Sequence, residues 1–162
     1  MNEKRFGKEQ TRVLVDKLWV NVPLSFYGDP VAGTTAYAIC IYDAANAPVT
    51  TLRVNRPHAQ CGTSPCWKIA NGNSYKYVDR QLTASGVLQL QLKSGAAGVG
   101  RFFGKAKNNL AKGHTAMPIG VSAKLTGNRS ATVQLMSSNG GCVSGIVSNV
   151  SEASPQLFNG KN

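Results

Sequence analysis

No stretch long enough for an ordinary helix spaces its apolar side chains at helical intervals, whereas short alternating runs recur between clusters of Gly, Asn, Asp and Pro at intervals of roughly 8–12 residues. This punctuation constrains the fold more than any other feature. Residues 87–92 are the plainest case: Leu88, Leu90 and Leu92 share one face and the glutamines the other, as in a half-buried strand. Residues 34–42, rich in β-branched and aromatic side chains around Cys40, read as a second strand. Further strands are predicted over residues 49–54, 66–69, 75–78, 99–107, 119–125, 131–137 and 142–150, with Asn71-Gly72-Asn73 and Asn139-Gly140-Gly141 among the turns. The expected fold class is all-β: an antiparallel β-sandwich, jelly-roll or Ig-like, with about nine or ten strands.

Near the N-terminus, residues 1–11 are charged and aperiodic and are expected to form a flexible basic arm, leaving 12–162 as a single domain. Leu18, Val20, Val22, Leu24 and Phe26 share one parity, with Asn21, Pro23 and Ser25 on the other. This predicts a strand, and Pro23, which has no N–H to donate, assigns it to a sheet edge. Residues 12–27 are thus an edge strand, or one exchanged with a neighbouring copy.

Charge narrows the function classes. The chain carries 18 Lys+Arg against 7 Asp+Glu, a net charge of +11. Such an excess attracts nucleic acid, anionic polysaccharide or lipid surfaces without dictating a fold. The bases are densest at Lys4, Arg5, Lys8, Arg12 and Lys17, and along Lys93, Arg101, Lys105, Lys107 and Lys112. No window approaches 18 consecutive apolar residues, so no membrane span is expected.

Four cysteines suit two disulfides in an oxidising compartment. Cys61 and Cys66 flank a tight Gly/Pro loop, leaving Cys40 and Cys142, whose bond would be worth about 4–5 kcal/mol in loop-closure entropy. The two other pairings, Cys40–Cys61 with Cys66–Cys142 and Cys40–Cys66 with Cys61–Cys142, remain open. A metal site of Cys61, Cys66, His58 and His114 matches no common zinc spacing, so no metal or other cofactor is expected. The polar N-terminus lacks the apolar core of a signal peptide, so the disulfide expectation implies a leader or upstream region.

Catalytic inventory is thin. Paired-carboxylate chemistry would need two of Asp16, Asp29, Asp43 and Asp79, of which Asp29 and Asp43 flank turns where carboxylates bond backbone N–H groups. His58 and His114 have no nucleophile or metalloprotease motif beside them. The chain reads as no enzyme. Trp67, Tyr75 and Tyr77 interleave with Lys68 and Lys76, a pattern that either stacks on sugars or bases beside cations, or buries one aromatic face in a core.

From Gly28 onward a set of blocks runs through Gly28-Asp29-Pro30 with Gly33 and Thr34, Cys40-Ile41-Tyr42-Asp43, Cys61-Gly62, Pro65-Cys66-Trp67-Lys68 and Tyr75-Lys76-Tyr77-Val78-Asp79. In these the chain resembles a β-rich domain that recurs in secreted and cell-surface proteins of environmental bacteria. The resemblance continues through the glycine-lysine stretch 95–107, Asn109-Leu110, Val133-Gln134-Leu135 and Gly141-Cys142. Val143 stands where an aromatic is usual, and residues 1–27 lie outside the match. The resemblance implies an extracellular or cell-surface, non-enzymatic domain.

Three functions are compatible with these features. The first is a structural subunit of a surface filament or layer, self-assembling by β-strand addition through Leu18, Val20, Val22, Leu24 and Phe26, with other copies of itself as partners. The second is a module that binds an anionic polymer, polysaccharide or nucleic acid, through Trp67, Lys68, Tyr75, Lys76 and Tyr77. The third is a viral coat protein with a basic arm, against which the acids Glu3 and Glu9 and the cysteines argue.

Overall fold

The computed structural model describes residues 9–109, 117–118 and 120–162. In chain order its strands are β1 (Gln10–Val15), β2 (Tyr37–Tyr42), β3 (Pro48–Val54), β4 (Gln60–Cys61), β5 (Ser64–Pro65), β6 (Trp67–Ala70) and β7 (Ser74–Val78). They continue with β8 (Val87–Lys93), β9 (Arg101–Lys107), β10 (Ala131–Ser137), β11 (Cys142–Val147), β12 (Asn149–Ser154) and β13 (Leu157–Lys161). One α-helix among the described residues, α1 (Val121–Lys124), and a 3-10 turn at Leu24–Tyr27 complete the set. The protein is all-β, as the turn punctuation predicts.

Seven strands form one sheet in the order β12-β13-β1-β9-β8-β7-β6, four form a second in the order β11-β10-β2-β3, and β4 and β5 pair alone. Alternation explains which face of each sheet turns inward. Leu90 and Leu92 of β8, Phe102 and Ala106 of β9, Val13 and Val15 of β1 and Phe158 of β13 are buried. They join Ile39, Ile41, Val133, Leu135, Val143 and Val147 from the four-stranded sheet in one apolar cluster. Burying each large side chain contributes about 1.5–3 kcal/mol, and this shared core holds the two sheets together. Gly145 of β11 lies where a Cβ would meet the Val15 side chain of β1, so a residue without one is needed at that approach.

Several expectations are corrected. Thirteen strands replace nine or ten, because residues 60–65 form a small hairpin and residues 142–161 form three strands rather than one and a tail. Pairing is not wholly antiparallel: β1 runs parallel to β13. Within the strand expected over 119–125, residues 121–124 form the helix α1 instead, and residue 119 lies outside the described residues. There the Glu9 carboxylate accepts the backbone N–H groups of Gly120 and Ser122, donors that a strand would have spent on a neighbour. The flexible arm does not extend to residue 11, since Gln10 and Thr11 belong to β1; residues 1–8 of that expectation lie outside the described residues.

The strand predicted through Leu18, Val20, Val22, Leu24 and Phe26 does not form. The strand ends at Val15, and the chain then arcs over residues 16–22. Leu18 and Val22 are buried, Leu24 and Phe26 are half-buried, and Val20 is exposed. The backbone of the arc bonds the loop between β8 and β9: Leu18 N–H donates to Gly100 O at 2.8 Å, and Val22 and Gly95 exchange bonds of 2.9 and 3.0 Å. β1 itself lies between β13 and β9, paired along both edges within its own sheet.

Candidate functional site

The aromatic–basic block divides across the sheet. Trp67 and Tyr77 are opposite each other on β6 and β7, both inward, with ring centroids 5.1 Å apart, and Tyr37 of β2 lies 5.0 Å from Trp67 on its other side. Trp67, Tyr75 and Tyr77 are 2%, 5% and 0% exposed, so they are core and not a stacking platform. Period-two alternation sends Lys68 and Lys76, directly paired, out of the opposite face.

Following the register from this lysine pair builds the site. Lys76 is opposite Gln91 of β8, Gln91 opposite Phe103 of β9, Phe103 opposite Leu14 of β1, and Leu14 opposite Lys161 of β13. The next row runs through Gln89, Lys105, Arg12 and Asn159. Lys93 pairs with Arg101 at one end, and Lys107 pairs with Gln10 at the other. Arg12, Lys68, Lys76, Lys93, Arg101, Lys105, Lys107 and Lys161 thus share the outer face of the seven-stranded sheet. Each adjoins in sequence a buried residue of the opposite face.

Among the described residues most acids bond turn N–H groups, and Glu152 alone joins the edge of this face through the row of Arg12 and Asn159. Asp29 accepts the N–H groups of Val31 and Ala32, Asp43 those of Ala45 and Ala47, and Asp79 those of Gln81 and Thr83. Asp16 accepts from Lys17 N–H, and Glu9 caps the turn before α1. Glu152 stands opposite Asn159 on the edge strand β12 and accepts from Ser154. Eight of the chain's 18 Lys and Arg residues therefore share one face. Burial, then the nearby charges of Lys107 and Arg12, hold the Lys105 ammonium below the usual lysine range. The Arg12 guanidinium lies 5.2 Å over the Phe103 ring, covering the aromatic of this face.

At its β6 edge the face runs into a cleft of about 660 Å³ lined by Lys68, Lys76, Arg80, Gln81, Ser64 and the Cys61–Cys66 bridge. That volume lies in the range of small-ligand sites. The disulfide, with Cα atoms 4.9 Å apart, pins the loop that walls it.

No protein-family model, curated protein or solved structure matches the chain.

The cysteines pair only in part as expected. Cys61 and Cys66 are bonded, whereas Cys40 and Cys142 are free. Cys40 of β2 is opposite Gln134 and Cys142 of β11 is opposite Met136, with β10 between them. Two strand spacings, roughly 9.6 Å, and a two-residue offset of roughly 6.8 Å along β10 separate them, beyond the reach of a disulfide. Cys40 instead packs its sulfur 4.0 Å from that of Met136. The bridge also removes Cys61 and Cys66 from the weighed metal set, and His114 lies outside the described residues. Among the described residues no three His, Cys, Asp or Glu side chains cluster as metal ligands, and no helix is long and apolar enough to cross a membrane.

Asp16, Asp29, Asp43 and Asp79 are separate turn caps, not a pair. For Asp29, backbone donation led by Ala32 holds the carboxyl below its usual range. Burial pushes Asp79 up, but hydrogen bonds from Thr83, Gln81 and Tyr77 outweigh it and hold it low. Both stay charged acceptors at neutral pH, fit for tying turns.

The basic stretch 93–107 was visible as composition. Its union with Arg12, Lys68, Lys76 and Lys161 was not, because it depends on which strands are neighbours. Trp19, which falls on the polar parity of the expected strand, is 94% exposed.

Proposed function

We propose that this chain is a non-enzymatic, extracytoplasmic β-sandwich domain that binds an acidic polysaccharide along the outer face of its seven-stranded sheet. The observation that carries the reading is the gathering of eight cations on one face while the described acids outside the edge strand β12 cap turns. Neighbouring strands set these charges at spacings of about 4.8 Å, and successive outward residues along a strand at about 6.8 Å. A flexible polyanion laid over such a grid meets several cations at once and releases its counterions, so binding is cooperative in charge and sensitive to salt. An uncovered aromatic row, the usual partner of unpaired bases, is missing here, since Phe103 lies under Arg12 and Trp67, Tyr75 and Tyr77 are inside. That favours sugar polyanions over single-stranded nucleic acid. The disulfide and the resemblance to secreted bacterial domains support an extracellular or cell-surface setting.

The test compares retention on immobilised polygalacturonate and on single-stranded DNA over a salt gradient, for the wild type and for the triple variant Arg12→Glu/Lys76→Glu/Lys105→Glu. Stronger retention on the polysaccharide, lost in the variant, supports the reading. Equal retention of variant and wild type refutes it, and preference for DNA moves the assignment to nucleic acid.

A second reading, self-association into a surface assembly, draws on the outer face of the four-stranded sheet. Among Ala38, Cys40, Tyr42, Thr51, Thr132, Gln134, Met136, Cys142, Ser144 and Ile146 the strands carry a single charge there, Arg53, and Met136 and Ile146 are 45% and 61% exposed. Two copies of a chain with net charge +11 repel least across this face. Strand addition by residues 12–26 has no support, since β1 is paired on both edges in its own sheet. Sedimentation of the wild type and of Ile146→Lys tests the reading. Equal monomer content at high concentration sinks it.

A further inference from the structure

The loop at residues 16–22 holds an apolar tip that the fold does not use. Leu18 and Val22 are its anchors, 3% and 0% exposed. Four backbone hydrogen bonds tie them to the facing loop between β8 and β9: Leu18 N–H to Gly100 O, Gly98 N–H to Leu18 O, Val22 N–H to Gly95 O and Gly95 N–H to Val22 O, all between 2.7 and 3.0 Å. The residues between the anchors are forced outward. Trp19 is 94% exposed and Val20 56%, while Val99, bracketed by the two glycines that bond Leu18, is 50% exposed. Half of the six exposed large apolar side chains described for the chain are therefore on one pair of zipped loops.

The chemistry around the tip is one-sided. Lys17 is exposed two residues before Trp19, and the paired Lys93 and Arg101 end the two strands that the Val99 loop connects. The nearby acid, Asp16, turns a carboxylate oxygen onto the N–H of Lys17. A ring exposed to this degree has almost no contact with its own chain, so the tip is convex. The exposed apolar residues Val20 and Val99, on the two zipped loops, extend the apolar surface of the tip beyond the ring. A convex apolar wedge with cations behind it complements a bilayer surface, where an indole settles at the headgroup level and Lys and Arg meet lipid phosphates. We propose that the Trp19–Val20–Val99 tip inserts into the interface of a bilayer bearing anionic headgroups, with Lys17, Lys93 and Arg101 meeting the phosphates.

The tip shares Lys93 and Arg101 with the end of the cationic sheet face, but Trp19, Val20 and Val99 lie outside that face, so substitutions at these three separate the two. Co-sedimentation with vesicles of mixed phosphatidylglycerol and phosphatidylcholine is measured for the wild type, Trp19→Ser and Val20→Ser/Val99→Ser, together with quenching of tryptophan emission by brominated lipid. The wild type should show a blue shift and quenching from Trp19, because the chain's other tryptophan, Trp67, is buried and out of reach. Trp19→Ser should lose the quenching and weaken partitioning by about tenfold or more, the loss expected for one large apolar side chain. It should leave retention on polygalacturonate unchanged. Since these side chains lie outside the core, an unchanged thermal midpoint confirms that the variants fold. Wild-type partitioning by Trp19→Ser would assign vesicle binding to charge alone and overturn the proposal. A Trp19 shift caused by acidic oligosaccharide, or by protein concentration without lipid, would also overturn it, in favour of a sugar platform or a second copy.

Discussion

Arg12 and Lys105 stand directly opposite each other across β1 and β9, two cations on one face of a sheet with no acid between them. Like charges at this spacing cost stability, about 0.2–1 kcal/mol per pair. That cost fits the proposed function, in which binding rather than folding sets the two residues. Lys105→Glu should raise the urea midpoint slightly, by about 0.5 kcal/mol of stability, while weakening retention on acidic polysaccharide. A variant that is both less stable and equally retained would show that the pair serves the fold.

Acid should unfold the protein through its turns. The Asp29 and Asp79 carboxyls are held below their ordinary values in the folded chain, so the unfolded chain takes up protons first as pH falls. Their contribution is fully present above the unfolded carboxyl range of roughly pH 4 and is lost as pH drops through the lower folded values. Urea midpoints measured from pH 6 to pH 2.5 should fall below about pH 4. Asp79→Asn should lower stability at neutral pH and flatten this fall. An unchanged acid limb in that variant would place the sensitivity elsewhere.

Thiol counting checks the cysteine assignment. Without reductant, the native protein should show one fast-reacting thiol, the exposed Cys142, and a slow one, the buried Cys40. The remaining two should appear only after reduction of the Cys61–Cys66 bridge. No reactive thiol in the unreduced, unfolded chain would mean that Cys40 and Cys142 are bonded after all.

Gly145→Ala should destabilise the fold although the residue is in a strand, where alanine is ordinarily tolerated. The added Cβ meets the Val15 side chain across the core, and overpacking of this kind costs about 1–3 kcal/mol. Val15→Ala combined with Gly145→Ala should recover part of the loss, since it removes the clashing methyls. Thermal midpoints of the two variants decide the point.

Alternation at 87–92 was legible because a half-buried strand writes its period into the chain. Leu90 and Leu92 are buried as that period requires, whereas Leu88 falls at a bulge and Val87 is buried in its place. Residues 34–42 were legible instead from their β-branched and aromatic content. Residues 18–26 showed the same period and misled, because the alternation there was incomplete as physics: Leu18 and Val22 are the buried anchors, Val20 is exposed, and the backbone bonds a loop instead of a strand. Residues 121–124 misled for another reason. The acceptor that takes the N–H groups of Gly120 and Ser122 at this turn, Glu9, is more than a hundred positions away in the chain. Trp67, Tyr75 and Tyr77 beside Lys68 and Lys76 fitted a binding platform and a core edge equally well, and only the second sheet packed over the aromatics separates the two.

Residue order alone determined the all-β class, many of the turns and the surplus of positive charge, since each depends on neighbours a few residues apart or on composition. It offered the Cys61–Cys66 loop as one of three pairings. Tertiary structure decided the rest. It set β1 between β13 and β9, kept Cys40 and Cys142 a strand apart, and brought Arg12, Lys76, Lys105 and Lys161 onto one surface. Strand partners are selected by the collective burial of both sheet faces, a condition on residues far apart in the chain that no local pattern encodes.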